Sequence, residues 1–311
     1  MESNKNVFAF WYDLHAKFNN FGDELNPYII SKLSGKKVKR VPIVGNRYIR
    51  LIKGIYYTIK GIIPFKDFIP ILKSLRTKSI LVSIGSIISW GSGKNSYIWG
   101  AGIIDKNSQI TQSKFLAVRG KHTLRRIDEL GLKHQDVQYG DPAILLPLIF
   151  KEKVKKNFSI GIIPHYIHFE EVSQNVRNKK LDSEVLVINL LDNVENVLRM
   201  ILQCEKIIST SLHGLIVPHA YKIPALWVKL SQNELAGDNI KFYDYFSSVD
   251  IPEYHRIDLT DKVELLSQEL LEEVFITHKN YSKPKNIFKV QSNLLKCAPF
   301  KLKSEYEENI L

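Results

Sequence analysis

The chain has 311 residues, 44% of them hydrophobic and 24% charged, enough to bury a substantial core and long enough for that core to divide between two domains. Lysine and arginine outnumber aspartate and glutamate to a formal charge of +12, which favours an anionic partner: a nucleic acid, a membrane surface or a phosphorylated small molecule. Cys204 and Cys297 are the only cysteines, no apolar run reaches the ~18 residues of a membrane span and no N-terminal segment reads as a leader, so a disulfide scaffold and a spanning protein are excluded and a reduced cytosol is expected.

The first half carries five short apolar runs: VFAFW (7–11), VKRVPIV (38–44), SILVSIGS (79–86), YIWGAG (97–102) and FLAVRG (115–120). Each is bounded by Gly, Ser or Asn, the pattern of buried strands. Between them lie helical stretches, DELNPYIISKLSG (23–35), stopped by Gly35, and HTLRRIDELGL (122–132), stopped by Gly131. The segment from 47 to 73, RYIRLIKGIYYTIKGIIPFKDFIPILK, places Arg50, Lys53, Tyr57 and Lys60 on one side of a helix and Ile52, Ile55, Tyr56, Ile59 and Ile63 on the other. The ordinary expectation is that the apolar side packs on the sheet. The alternative is a basic amphipathic helix lying in a membrane interface.

The charged run KEKVKKN (151–157) reads as a linker and divides the chain into an N-terminal domain, 1–150, and a C-terminal domain, 151–311. The second half starts again with FSIGIIPHY (158–166), EVLVINL (184–190), the amphipathic helix NVENVLRMILQCE (193–205), KIISTS (206–211), a helix from about His213, and PALWVKL (224–230). Strand and helix alternate throughout, so the expected fold is α/β: two doubly wound, Rossmann-like domains of parallel strands facing a cleft. Ligands in such sheets collect beyond the carboxyl ends of the strands, so residues that end strands are the candidates. DKVELLSQELLEEVFITHKNYS (261–282) reads as one long amphipathic helix, and the tail KCAPFKLKSEYEENIL (296–311) as too polar to add much core.

Five strand ends stand out. In NNFGDELNP (19–27), Asp23 can cap the next helix or act at a substrate; no G-x-G-x-x-G is present, which excludes a dinucleotide fingerprint. In AVRGKHTLRR (117–126), Arg119 is placed for two-pronged recognition of a carboxylate or phosphate, with a salt bridge to an Asp as the structural alternative. Asp141 in YGDPAILLP can be a general base, an anchor for sugar hydroxyls or a turn cap. His165 ends IGIIPHY; with His168 it forms an H-x-x-H pair that lacks the ligand set of a convincing metal site, so no metal is expected. In STSLHG (209–214), Ser211, Leu212 and Gly214 lead into a helix whose N–H groups and dipole face the cleft, with His213 as an acid or an anion contact. The lysines are dispersed and no helix-turn-helix, zinc or RNP pattern occurs, so nucleic acid is not the expected partner.

In their order and spacing, NFGDELNP (20–27), SIGSII (83–88), WGAGI (99–103), AVRG (117–120), YGDPAILLP (139–147), GIIPHY (161–166), ISTSLHGLIVPHAYKIPALWV (208–228) and KFYDYF (241–246) resemble the polysaccharide pyruvyl transferase family. The resemblance implies a GT-B-like fold and transfer of pyruvate from phosphoenolpyruvate, the donor and only small molecule required, to a sugar as a ketal. It carries Arg119, Leu212 and His213 over as residues that hold phosphoenolpyruvate. His213 would then protonate carbon or neutralise the leaving phosphate, Asp23, Asp141 or His165 would take a hydroxyl proton, and Lys229 and Lys241 are further anion contacts. It also suggests a glycan or glycolipid acceptor at the cytosolic membrane face, with the basic segment docking the protein peripherally. The rival expectation is a GT-B glycosyltransferase that uses a nucleotide sugar.

Overall fold

The computed structural model describes residues 6–12, 20–45, 47–75, 79–179, 181, 184–265 and 267–310. Six strands, β1 (Asn6–Phe10), β2 (Lys37–Arg40), β3 (Ile80–Val82), β4 (Ser96–Trp99), β5 (Lys114–Val118) and β6 (Gln138–Tyr139), form one sheet in the order β2-β1-β3-β4-β5-β6. Five more, β7 (Phe158–Ile163), β8 (Val185–Val187), β9 (Cys204–Ser209), β10 (Ala225–Lys229) and β11 (Ile257–Asp258), form a second in the order β11-β10-β9-β7-β8. Every strand pair is parallel, as alternation with helices requires. The fold is α/β with two domains and is consistent with GT-B.

The first sheet is served by α1 (Phe21–Ser34), α2 (Arg47–Ile59), α3 (Phe65–Ser74), α4 (Ile88–Gly91), α5 (Lys121–Glu129) and α6 (Leu146–Ile149). The second is served by α7 (Phe169–Asn178), α8 (Val194–Leu202), α9 (His213–Ala220), α10 (Ile240–Ser248) and α11 (Gln268–Thr277), and α12 (Ile287–Lys296) and α13 (Ser304–Glu307) follow. The segments 260–265 and 279–281 are 3-10 turns on either side of α11, so the single long helix expected over 261–282 is interrupted. Asn20, not Asp23, caps α1: its side chain accepts from the Gly22 N–H at 3.2 Å, and Asp23 sits inside the first turn, where a carboxylate complements the helix dipole.

Two-residue alternation puts both faces of each sheet in apolar surroundings. Val7 and Ala9 face the layer between the domains while Phe8 and Phe10 face the outer layer; in the second sheet Ile207, Ala225 and Trp227 face inward and Ile208, Leu226 and Val228 outward. The inner layer is one continuous core running under both sheets. The chain crosses over to close it. Residues 287–310 leave the second sheet and pack on the first: Trp99 Nε1 donates to the Leu294 carbonyl (3.0 Å), Gln291 Nε2 to the Ile144 carbonyl (2.7 Å) and the Lys303 N–H to the Leu33 carbonyl (2.9 Å). Phe300, Leu302 and Tyr306 are buried there, so the tail expected to add little core completes it, and a division of the chain at residue 150 does not coincide with the division in space. The reason is periodicity: the tail's apolar residues are single and spaced among charges, and only a preformed surface selects them.

One contact fixes how the two sheets face each other. Arg119, at the end of β5, and Asp244, on α10, are both fully buried and pair at 3.0 Å through Nε and Oδ2. The same carboxylate accepts from the Thr123 hydroxyl (2.6 Å) and the Thr123 N–H (2.9 Å), so a helix of the second domain caps α5 of the first. A Cβ at Gly120 would overlap the Asp244 backbone carbonyl, which is why the approach needs glycine there. The motif Arg119-Gly120 is thus half of an interdomain clamp.

Breaking one side of a buried, fully hydrogen-bonded pair costs about 3–5 kcal/mol, because the other charge is left without compensation. Asp244→Ala should lower stability to urea by an amount of that order, and the double variant Arg119→Met/Asp244→Leu should recover part of it.

Candidate active site

Reversal of strand order places the site. In the first sheet the order turns about β1 and β3, and in the second about β7 and β9. At such a switch point successive crossovers leave in opposite directions and open a crevice beyond the strand ends. The two crevices face each other, and between them lies a cavity of about 140 Å³. It is lined by residues that follow β1 (Asn20, Gly22, Asp23), β3 (Gly85, Ser86), β7 (His165, Tyr166) and β9 (Ser211, Leu212, His213), with Lys241 from the start of α10.

Each loop is held by specific bonds. Asn26, buried on α1, accepts from the Ile84 N–H (2.9 Å) and donates to the Ile84 carbonyl (3.0 Å), pinning the Gly85-Ser86 turn to α1 as a strand partner would. Ser209 Oγ lies 2.7 Å from the Ile163 carbonyl and accepts from the Ser211 N–H (2.9 Å), while Thr210 Oγ1 accepts from the His165 N–H (2.7 Å). The first two hydroxyls of STSLHG therefore join the ends of β7 and β9. No side chain caps α9, which leaves its first turn, from Leu212 to His213, directed at the cavity. Gly214 lies one residue deeper, packed on Ser209, and does not line it.

His213 and Asp141 form a pair across the domain boundary. Asp141 is fully buried; its Oδ1 accepts from the Ala143 N–H (3.0 Å), and its Oδ2 lies 3.6 Å from His213 Nε2. The other ring nitrogen, Nδ1, abuts Gly22, where a Cβ would overlap it. Gly22 is thus needed at the start of α1 for the ring to reach this position. Asp141, expected as a base, a sugar anchor or a turn cap, caps the turn that follows β6 and lies behind the imidazole; full burial keeps it from a sugar.

His165 and Lys241 flank the cavity in different charge states. Burial lowers the His165 pKa to about 4, helped by the charge of Lys241 and by His168, so this imidazole is neutral at neutral pH and cannot serve as an acid. Burial also lowers the Lys241 pKa to about 8, with the Arg119 charge adding to the effect, so Lys241 remains cationic at neutral pH but is poised to gain from an anion.

Arg119 does not reach the cavity. Besides Asp244, its Nη1 donates to Ser86 Oγ (2.7 Å) and its Nη2 to the Ile103 carbonyl (2.6 Å). The salt-bridge alternative is the one realised: the direct clamp on a ligand is absent, and Arg119 contributes charge and holds Ser86 at the cavity wall. Lys229 is likewise engaged elsewhere, 3.2 Å from Glu234 and 3.9 Å from Asp258. Sequence reasoning missed Asn26, Ser86 and Asp244. The signal for Asp244 was present, as an acidic residue in the otherwise aromatic KFYDYF, but its partner is 125 positions away.

A site between two doubly wound α/β domains, built at their facing switch points, defines a GT-B-like protein. A profile described as Polysaccharide pyruvyl transferase matches residues 20–232, more than half of the sequence, and the chain belongs to that family. It is also 34% identical over 168 residues to an uncharacterized protein of Acanthamoeba polyphaga mimivirus, a match that spans 53% of this chain and 58% of that relative.

Acid should loosen this arrangement. His165 and the fully buried His219 both have pKa values lowered by burial from 6.5 to about 4, and His219 is held neutral between the Tyr245 hydroxyl (3.0 Å) and the Ala225 carbonyl (3.1 Å). Between those pH values the unfolded chain binds protons that the folded one refuses, so their stabilisation is complete above pH 6.5 and is lost as pH falls towards 4, on the order of 3 kcal/mol for His219. Thermal melts should show Tm falling through this window, and His219→Gln should flatten the dependence.

Proposed function

We propose that the protein transfers pyruvate from phosphoenolpyruvate to a sugar of a lipid-linked polysaccharide precursor, forming a ketal and releasing phosphate, with no cofactor beyond the donor. The observation that carries this reading is the meeting of Lys241, His213 and the uncapped start of α9 in one small cavity at two facing switch points. Phosphoenolpyruvate presents a carboxylate and a phosphate, which need fixed positive charge and N–H donors. Lys241 supplies the charge, the first turn of α9 the donors, and Arg119 a second positive charge from behind Ser86.

Ketal formation requires a proton at the methylene carbon, attack by one sugar hydroxyl on the carbon that carries phosphate, cleavage of the bond from that carbon to the phosphate oxygen, and closure by a second hydroxyl. The two protons released by the hydroxyls balance the one gained by carbon and the one carried away with phosphate. His213 is the proton donor: Asp141 stands 3.6 Å from its Nε2, and Nδ1 is the ring nitrogen left to face the substrate. The hydroxyl proton goes to Asp23 or to the neutral His165, the two acceptors that line the cavity. Asp141 acts through His213 and is a positioning residue.

Incubation with phosphoenolpyruvate and candidate glycolipids, followed by mass spectrometry, should show the mass of an added pyruvate ketal with matching phosphate release. Turnover of a nucleotide sugar in its place would support the glycosyltransferase alternative and overturn this reading. His213→Gln should lower kcat by about 10²–10⁴-fold with the melting transition retained; near-normal turnover would remove His213 from the mechanism. Because Lys241 loses its charge as pH rises through about 8, KM for phosphoenolpyruvate should climb above that pH, and Lys241→Arg should move the rise to higher pH.

A further inference from the structure

The hairpin α2–α3 is turned inside out relative to an ordinary surface helix pair. Its inward side carries Arg50 and Gly54, both buried, with Ile43, Ile63 and Ile71 forming a small core of its own beside Tyr57 and Phe68. The apolar side of α2, expected to pack on the sheet, faces outward together with the start of α3: Ile52 and Ile59 of α2 and Phe65 of α3 are 67%, 78% and 72% exposed, and Ile55, Tyr56 and, between the helices, Ile62 are exposed with them. The hairpin is tied to the sheet by Arg40 and Asp67, paired at 2.9 Å, and not by these residues. A contiguous apolar ridge of this kind on a soluble surface marks a binding face.

The charge around the ridge selects the occupant. Between Glu24 and Asp67 the sequence holds ten basic residues and no acidic one, and Lys53, Lys60 and Lys66 are exposed on the hairpin itself. A second copy of the chain would bring like charges together. Acyl chains beneath anionic headgroups satisfy both the ridge and the lysines. No described helix is long and apolar enough to cross a membrane, so the hairpin lies on the surface.

We infer that α2 and α3 dock the protein on an anionic lipid bilayer, with Ile52, Ile59 and Phe65 among the acyl chains and the lysines at the headgroups. The docking stands on its own; one consequence rests on the proposed function. A cavity of about 480 Å³, lined by Trp11, Tyr12, Tyr57, Trp90, Arg40 and Lys53, opens at the foot of the hairpin, where a lipid-linked sugar would arrive.

The test is flotation of the full chain with phosphatidylglycerol/phosphatidylcholine vesicles and with phosphatidylcholine alone, at low and high salt, independent of any activity. Binding to the anionic vesicles at low salt is expected, with Ile59→Ser/Phe65→Ser weakening it roughly tenfold or more and Lys60→Gln about fivefold. Because those side chains are exposed, circular dichroism and melting of the variants should match the parent. Failure of the parent to float, equal binding to the neutral vesicles, or unchanged binding of the serine variant would overturn the inference. So would sedimentation showing a dimer that the serine variant dissolves.

Discussion

The buried pair of Arg119 and Asp244 is the constraint on which the site depends. It joins the end of a first-sheet strand to a second-domain helix with no solvent access, and the Thr123 bonds leave the carboxylate no other geometry. Lys241 stands three positions before Asp244 on the same helix, so the clamp that sets the interdomain angle also delivers a cation to the cavity. On the other side the guanidinium carries Ser86. Two domains held this way can aim groups from four strand-end loops and a helix start at one point, a precision that free hinges would not provide.

That point is where electrostatics and topology coincide. Facing switch points supply a crevice, and α9 enters it uncapped. Asp141 comes from one domain and His213 from the other, so the two groups meet only when the cleft is assembled. The neutral His165 and the cationic Lys241 stand beside it because burial acts in the same direction on both, lowering each pKa, while their ordinary values differ. One environment thus yields a proton acceptor and a positive charge.

The hairpin shows the opposite balance. Its sequence has the periodicity of a core-facing helix, yet the apolar side is outward because Arg50 and Gly54 take the inward positions and a three-isoleucine cluster closes the contact. Periodicity states that a helix has two faces. It does not state which face meets protein.

By itself the sequence determined the alternation of strands and helices, the division into two parallel sheets, and which strand ends carry polar residues towards the cleft. Short apolar runs and their Gly, Ser and Pro stops act locally, over a few residues, and so are legible one at a time. STSLHG was legible as a strand-to-helix corner for that reason. The tertiary structure decided what each corner residue does: that Ser209 and Thr210 join strands, that Arg119 is spent on Asp244, that Asp141 backs His213, and that Lys241 rather than Lys229 reaches the cavity. Those outcomes hang on partners up to 125 positions away, and charge pairing across such distances is set by how the sheets pack. The tail followed the same rule, its isolated apolar residues acquiring a core only once the first sheet offered a surface to bury them.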